Sequence, residues 1–102
     1  MFVRWKKRVT KKGPVFYAVL VECRRVGGKP RQRVIKHLAH IKEKYLGETA
    51  HQQYFWQRVD FWLDSLEVPA ETRKSIEEKL TPIVHRPTQE ELVKLENERK
   101  LL

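Results

Sequence analysis

Cysteine occurs once in these 102 residues, at Cys23. No intrachain disulfide framework can brace the fold, and the composition fits a reducing compartment. Long apolar runs are also missing: the longest, Val15 to Val21, holds seven residues, too few for a membrane span. The opening Met1-Phe2-Val3-Arg4-Trp5-Lys6-Lys7-Arg8 has no apolar segment after its basic residues, so it does not read as a secretory signal, and a cytoplasmic location is expected. There is no internal repeat, low-complexity tract, glycine-rich phosphate loop, nucleophile elbow or Cys–His dyad. The scarcest feature is negative charge in the first half. From Met1 to Gly47 there are two acids, Glu22 and Glu43, against fourteen Lys and Arg, a net charge of +12. From Glu48 to Leu102 eight bases meet eleven acids, a net charge of −3. A dozen mutually repelling cations give a domain no stability of their own, so the asymmetry points to a polyanionic partner.

What is present suits one domain spanning 1–102. At 40% hydrophobic residues with three Trp, three Tyr and four Phe, the chain can bury one modest core. Three parts are expected: a basic β-meander over 1–47, a helical core-covering segment over 48–87, and a C-terminal helix over 88–102. In the first, Phe2 to Val9 alternates, with Val3, Trp5 and Val9 opposite Arg4, Lys6 and Arg8. Thr10-Lys11-Lys12-Gly13-Pro14 reads as a turn, and Val15 to Val26 is rich in β-branched and aromatic residues. Gly27-Gly28 is a two-residue hairpin loop, and a third strand returns over Arg31 to Ile41. A first turn at Lys12-Gly13 would pair Trp5 with Leu20 and Val9 with Phe16. A second at Gly27-Gly28 would pair Arg24 with Arg31, Glu22 with Arg33 and Leu20 with Ile35. Trp5, Val9, Phe16, Ala18, Leu20 and Ile35 would then face the core. Arg4, Lys6, Arg8, Tyr17, Gln32 and Lys36 would share the other face, and a one-residue slip would exchange the sets.

The second half reads as helices. Glu48 to Leu66 aligns Phe55, Val59, Trp62 and Leu66, flanked by Trp56 and Leu63, in a broad apolar stripe, with Thr49 as N-cap. Pro69 opens a second helix running to about Val84, which Pro82 ends or kinks. Thr88-Gln89-Glu90-Glu91 is a capping box for a last helix whose thin stripe is Leu92, Leu95, Arg99 and Leu102. Five aromatics between Tyr54 and Trp62 exceed one helix face, so some are expected to serve a partner. The fold class is therefore α+β: a three-stranded antiparallel β-meander followed by two or three helices packed on one face.

The candidate nucleic-acid-binding residues are Arg4, Lys6, Arg8, Lys11, Lys12, Arg24, Arg25, Lys29, Arg31, Gln32, Arg33 and Lys36. They lie on or between strands, and a two-stranded ribbon fits the major groove of DNA. Arg31-Gln32-Arg33 is the candidate for base contacts. His37 and His40 with Cys23 supply too few ligands for structural zinc, and His51 and His85 have no fixed relation to them, so neither metal nor cofactor is expected. Asp60 and Asp64 are an i,i+4 pair that would suit Mg²⁺, but such pairs more often keep a helix soluble, and no catalytic residue is assigned.

The segment Tyr17 to Leu38 resembles the N-terminal region of DDE-class insertion-sequence transposases, on Leu20-Val21-Glu22, Arg24 or Arg25, Gly28-Lys29 and Arg31-Gln32-Arg33. Leu38-Ala39 stands where that family has Leu-Gly. The resemblance covers residues 2 to 41 and implies a DNA-associated module of mobile-element lineage. That family's RNase-H-like catalytic region has no counterpart here, so transposition is not expected to carry over. Short bacterial proteins that join such a hairpin region to a helical tail are the other resemblance, and they imply no function. The expected function is non-catalytic nucleic-acid binding, DNA before RNA, with strandedness and sequence preference left open by the sequence. A homodimer through the helices would double the phosphate contacts. The alternative is a protein–protein adaptor using the aromatic and C-terminal helices.

Overall fold

Thr10 decides where the chain first turns. Its hydroxyl accepts from the Lys12 N–H at 3.3 Å and donates to the Gly13 carbonyl at 2.7 Å. Lys11-Lys12 is therefore the loop, and Gly13, at φ 110°, takes the positive angle that follows it. The computed structural model describes residues 1–100. Its sheet contains β1 (Phe2–Thr10), β2 (Gly13–Val26) and β3 (Lys29–Lys42), antiparallel in the order β1-β2-β3. Because the turn falls one residue early, Trp5 pairs with Ala18 and Val3 with Leu20, not Trp5 with Leu20 as expected. The register has moved by two residues, which preserves the side each residue faces. The second hairpin turns at Gly27 and Gly28, φ 60° and 79°, as two positive-φ residues in a two-residue loop should.

One side of the sheet is covered by helices. After a single 3₁₀ turn at Glu43–Tyr45 come α1 (Thr49–Ser65), α2 (Ala70–Leu80) and α3 (Gln89–Lys100). Val3, Ala18 and Leu20 meet Leu38, Ala39 and Ile41 of β3, and Phe55, Val59 and Leu63 of α1 close over them. Trp5 stacks on Phe55 with ring centroids 5.8 Å apart. Ile76, Leu80 and Val84 extend this core under α2 and the segment after it. The Trp56 indole N–H donates to the Val84 and His85 carbonyls, both at 3.2 Å, which anchors that segment to α1.

Several helix details correct the sequence reading. Glu48, not Thr49, is the N-cap of α1, and Gln52 reaches back to donate to the Leu46 carbonyl at 2.8 Å. The buried stripe is Gln52, Phe55, Trp56, Val59 and Leu63, with Trp62 half-buried and Leu66 exposed. α1 ends in a Schellman motif: the Val68 N–H donates to Leu63 O and the Glu67 N–H to Asp64 O, both at 3.1 Å. Glu67 occupies the left-handed position, φ 52°, where glycine is favoured. Pro69 caps α2, which stops at Leu80, two residues before Pro82, so it does not run to Val84. The capping box forms as expected: Thr88 Oγ1 accepts from the Glu91 N–H at 3.3 Å, and Glu91 Oε1 accepts from the Thr88 N–H at 3.4 Å. The His85 imidazole, then Thr88, hold the Glu91 carboxyl below its ordinary range. Leu92 and Leu95 are half-buried and α3 lies against α1, while the stripe's Leu102 lies outside the described residues.

Candidate nucleic-acid interface

β2 is fourteen residues long, and β1 pairs only with Gly13 to Val21. The rest of β2 has β3 alone beside it, so Glu22–Val26 and Lys29–Arg33 form a two-stranded ribbon beyond the body. Every residue from Cys23 to Val34 is exposed. The ribbon carries Arg24, Arg25, Lys29, Arg31 and Arg33 against one carboxylate, Glu22. Glu22 pairs with Arg24 at 3.0 Å and with Arg33 at 3.9 Å. Arg25, Lys29 and Arg31 have no ion-pair partner among the described residues. Arg24 opposite Arg31 and Glu22 opposite Arg33 match the expected register.

β3 departs from regular pairing twice. Its register shifts at Leu38, between the pairs Ala18–Ala39 and Val19–His37, and again at Ile35, between Leu20–Lys36 and Val21–Val34. A β-bulge sends two adjacent residues to the same side. Leu38 and Ala39 therefore both enter the core, and Ile35 packs against it beside Lys36. This overturns the expected pairing of Leu20 with Ile35 and moves Lys36 to the helix-covered side. There its ammonium lies 3.8 Å from the centroid of the Trp62 ring. Val9 also fails as a core residue: it is 81% exposed, because it lies near the hairpin end beyond the helices.

The uncovered side carries Arg4, Lys6 and Arg8 of β1, Tyr17, Val19, Val21, Cys23 and Arg25 of β2, and Gln32, Val34, His37, His40 and Lys42 of β3. Arg4 donates across β2 to Gln32 Oε1 at 3.0 Å. Val19 and Val21 are 4% and 1% exposed although they lie on this side. The Leu38 bulge has a further effect. A His-x-x-His spacing in a regular strand would point to opposite sides, but here His37 and His40 both approach Tyr17, at 5.3 and 5.6 Å between ring centroids. Burial first, then the charges of His40, Arg58 and Lys36, lowers the His37 pKa.

The twelve predicted residues thus do not form one patch. Arg4, Lys6, Arg8, Arg25 and Gln32 share the uncovered side, while Arg24, Lys29, Arg31, Arg33 and Lys36 belong to the other side of the ladder. Lys11 and Lys12 occupy the opposite end of β2 from the ribbon tip, about 45 Å away at the usual rise of a strand. The sequence reading singled out neither the Tyr17–His37–His40 grouping nor Val19. The adjacent apolar pairs Val34-Ile35 and Leu38-Ala39, which break the two-residue alternation, were the available signal.

In the helical half, acids engage Arg73 and Arg86. Asp60 Oδ1 accepts from Arg73 at 3.1 Å and Asp60 Oδ2 from Arg86 at 2.6 Å. Arg73 also pairs with Asp64, and Arg86 with Glu77 at 3.0 Å. The hydrogen bond to Asp64 is the main cause that raises the Arg73 pKa, with Asp60 adding to it. On the sheet, Arg24 and Arg33 share Glu22 as their ion-pair partner. No described helix is long and apolar enough to cross a membrane.

Comparison with known proteins finds no matching curated protein and no matching solved structure. A family model does match. It covers residues 3–59, and so extends past the strands, where the sequence resemblance ended at residue 41, into α1. The matched stretch is more than half of the chain and includes all of the sheet but Phe2, with most of its covering helix, and the chain belongs to the family described as IS1634 family transposase, N-terminal domain.

Proposed function

We propose that this chain is a non-catalytic DNA-binding module whose basic ribbon enters the major groove while the sheet's cations hold the flanking backbone. The observation that carries the reading is the ribbon: it is exposed from Cys23 to Val34, extends past the end of β1, and holds three cations with no ion-pair partner among the described residues. A two-stranded ribbon fits the major groove of B-form DNA, whereas the deep, narrow major groove of A-form RNA does not admit it. That difference favours DNA. Membership of a transposase N-terminal family supports the same direction. The absence of chemistry is part of the proposal, supported by Asp60, both of whose carboxylate oxygens pair with guanidinium groups, and by Asp64, one of whose oxygens does.

Titrating a generic duplex at rising salt tests the proposal. Affinity should fall steeply as counterions lose their advantage on release. A flat response overturns the proposal, and equal affinity for duplex RNA overturns the choice of DNA. The adaptor reading, or a helix-mediated homodimer, retains one specific support: Tyr54 and Phe61 are more than half exposed on α1. Its other expected surface is reduced, since Leu92 and Leu95 are turned toward α1. Light scattering with and without residues 88–102 measures whether α3 holds a second copy.

A further inference from the structure

The ribbon accounts for one surface, and the uncovered side of the sheet is another. Arg4, Lys6 and Arg8 line one edge of it, and no carboxylate belongs to this side of the ladder between residues 4 and 42. Between that edge and β3 lies an open groove of about 350 Å³ lined by Lys6, Arg8, Tyr17, Val19 and His37. Its floor is the apolar Val19, and its walls pair cations with rings.

The rings do not close on one another. Tyr17 and His37 are tilted by 55°, Tyr17 and His40 by 34°, and His37 and His40 by 32°, with centroids 5.3 to 5.8 Å apart. Splayed rings at that spacing leave faces available to a flat guest. The Arg8 guanidinium already lies 5.8 Å from the Tyr17 ring. Lys6 and Arg8 alternate on one strand, so their stems rise about 6.8 Å apart, within the reach between adjacent phosphates of an extended strand.

We propose that this uncovered side of the sheet is a docking platform for single-stranded DNA, with bases stacked on Tyr17, His37 and His40 and phosphates held by Lys6 and Arg8. It shares the nucleic-acid reading above but uses a different surface from the ribbon. Cations beside an apolar floor and ring faces meet the two needs of a single strand, which offers phosphates and unstacked bases together. A duplex offers only the phosphates here, because its bases are stacked on each other. An acidic peptide would use the cations and leave the rings unused.

The test is fluorescence anisotropy with a labelled oligothymidylate of about twelve nucleotides, within the usual site size, beside a duplex of equal length. Tyr17→Leu keeps apolar bulk and removes the ring, and should weaken the oligothymidylate by about tenfold, while Tyr17→Phe stays within about twofold. Duplex affinity should not follow this pattern. His37→Ala with His40→Ala, at exposed positions, gives the same loss by a route that does not touch the half-buried Tyr17. Circular dichroism and melting temperature establish that each variant is folded. Undiminished oligothymidylate binding in both ring variants overturns the platform, as does an equal loss for duplex and single strand or no oligothymidylate binding at all. Duplex binding that persists through such a failure leaves the ribbon proposal standing. Ring-dependent binding of the oligothymidylate with no duplex affinity would overturn the ribbon alone.

Discussion

Replacing Arg25, Lys29 and Arg31 together by alanine removes the ribbon cations that no carboxylate offsets. Each neutralised phosphate contributes about 0.9 to the slope of log affinity against log salt, so five ribbon contacts give a slope of about −4.5. Raising salt from about 50 to about 200 mM should then cost the intact protein about 500-fold in affinity. With only Arg24 and Arg33 left, the slope falls to about −1.8 and the same step costs about 12-fold. Phosphate contacts from the sheet would add equally to both slopes, so the difference of about 2.7 is the quantity to measure. All three residues are exposed and lie beyond the reach of β1 and the helices, so the melting temperature should hold. Anisotropy of a labelled duplex over a salt series reads both slopes. A control pair, Lys94→Ala with Arg99→Ala, removes two exposed cations of α3, the helix that packs on α1, and should leave the slope unchanged. If the triple variant keeps the full slope, or the control loses as much, the ribbon is not the contact and the reasoning fails.

Three further outcomes follow from the body of the fold. Asp60→Asn strips a carboxylate shared by Arg73 and Arg86 and should lower unfolding free energy by about 1 kcal/mol in urea titrations, a cost that high salt should shrink. Glu67→Gly relieves a left-handed residue at the end of α1 and should raise stability by about 0.5–1 kcal/mol; a decrease in melting temperature would show that Glu67 contributes more than its backbone angle costs. His37 has its folded pKa depressed, so its contribution to stability is present above about pH 6.5 and is lost as pH falls through the folded value. DNA should reverse the sign. Phosphate over Lys6 and Arg8 offsets the influences that lower the His37 pKa, which besides burial come from His40 and Lys36 on β3 and Arg58 on α1. Affinity should therefore strengthen from about pH 7.5 to 5.5, and His37→Gln should flatten the profile in anisotropy titrations.

Where alternation was regular, the strands and their sides were readable from the residues. Val3, Trp5, Ala18 and Leu20 lie on the side expected because the Thr10-closed turn moved the register by two, an even number. An odd shift would have inverted the hairpin. β3 was less legible because the expected pairing assumed one residue opposite one residue, and the bulges at Ile35 and Leu38 break that rule. Lys36 was consequently assigned to the wrong side and the Tyr17–His37–His40 grouping was missed. In α1 the broad stripe expected from the sequence held Trp56 and Leu63 beside Trp62 and Leu66, and periodicity alone could not choose which of the two pairs lies deepest. The indole N–H of Trp56 settled that choice by finding two carbonyls at the end of α2's following segment. Charge asymmetry was read correctly in amount, but its division between two sides of a sheet depends on pairing.

The ribbon draws no support from the core, and its geometry is held by the Gly27-Gly28 turn, by one hydrogen bond from Arg4 to Gln32, and by the strand pairing between Glu22 and Arg33. Evolution or an engineer can therefore exchange the whole segment between those two residues as a cassette. The recipient scaffold would keep its melting behaviour while acquiring, under the function proposed above, the donor's target preference.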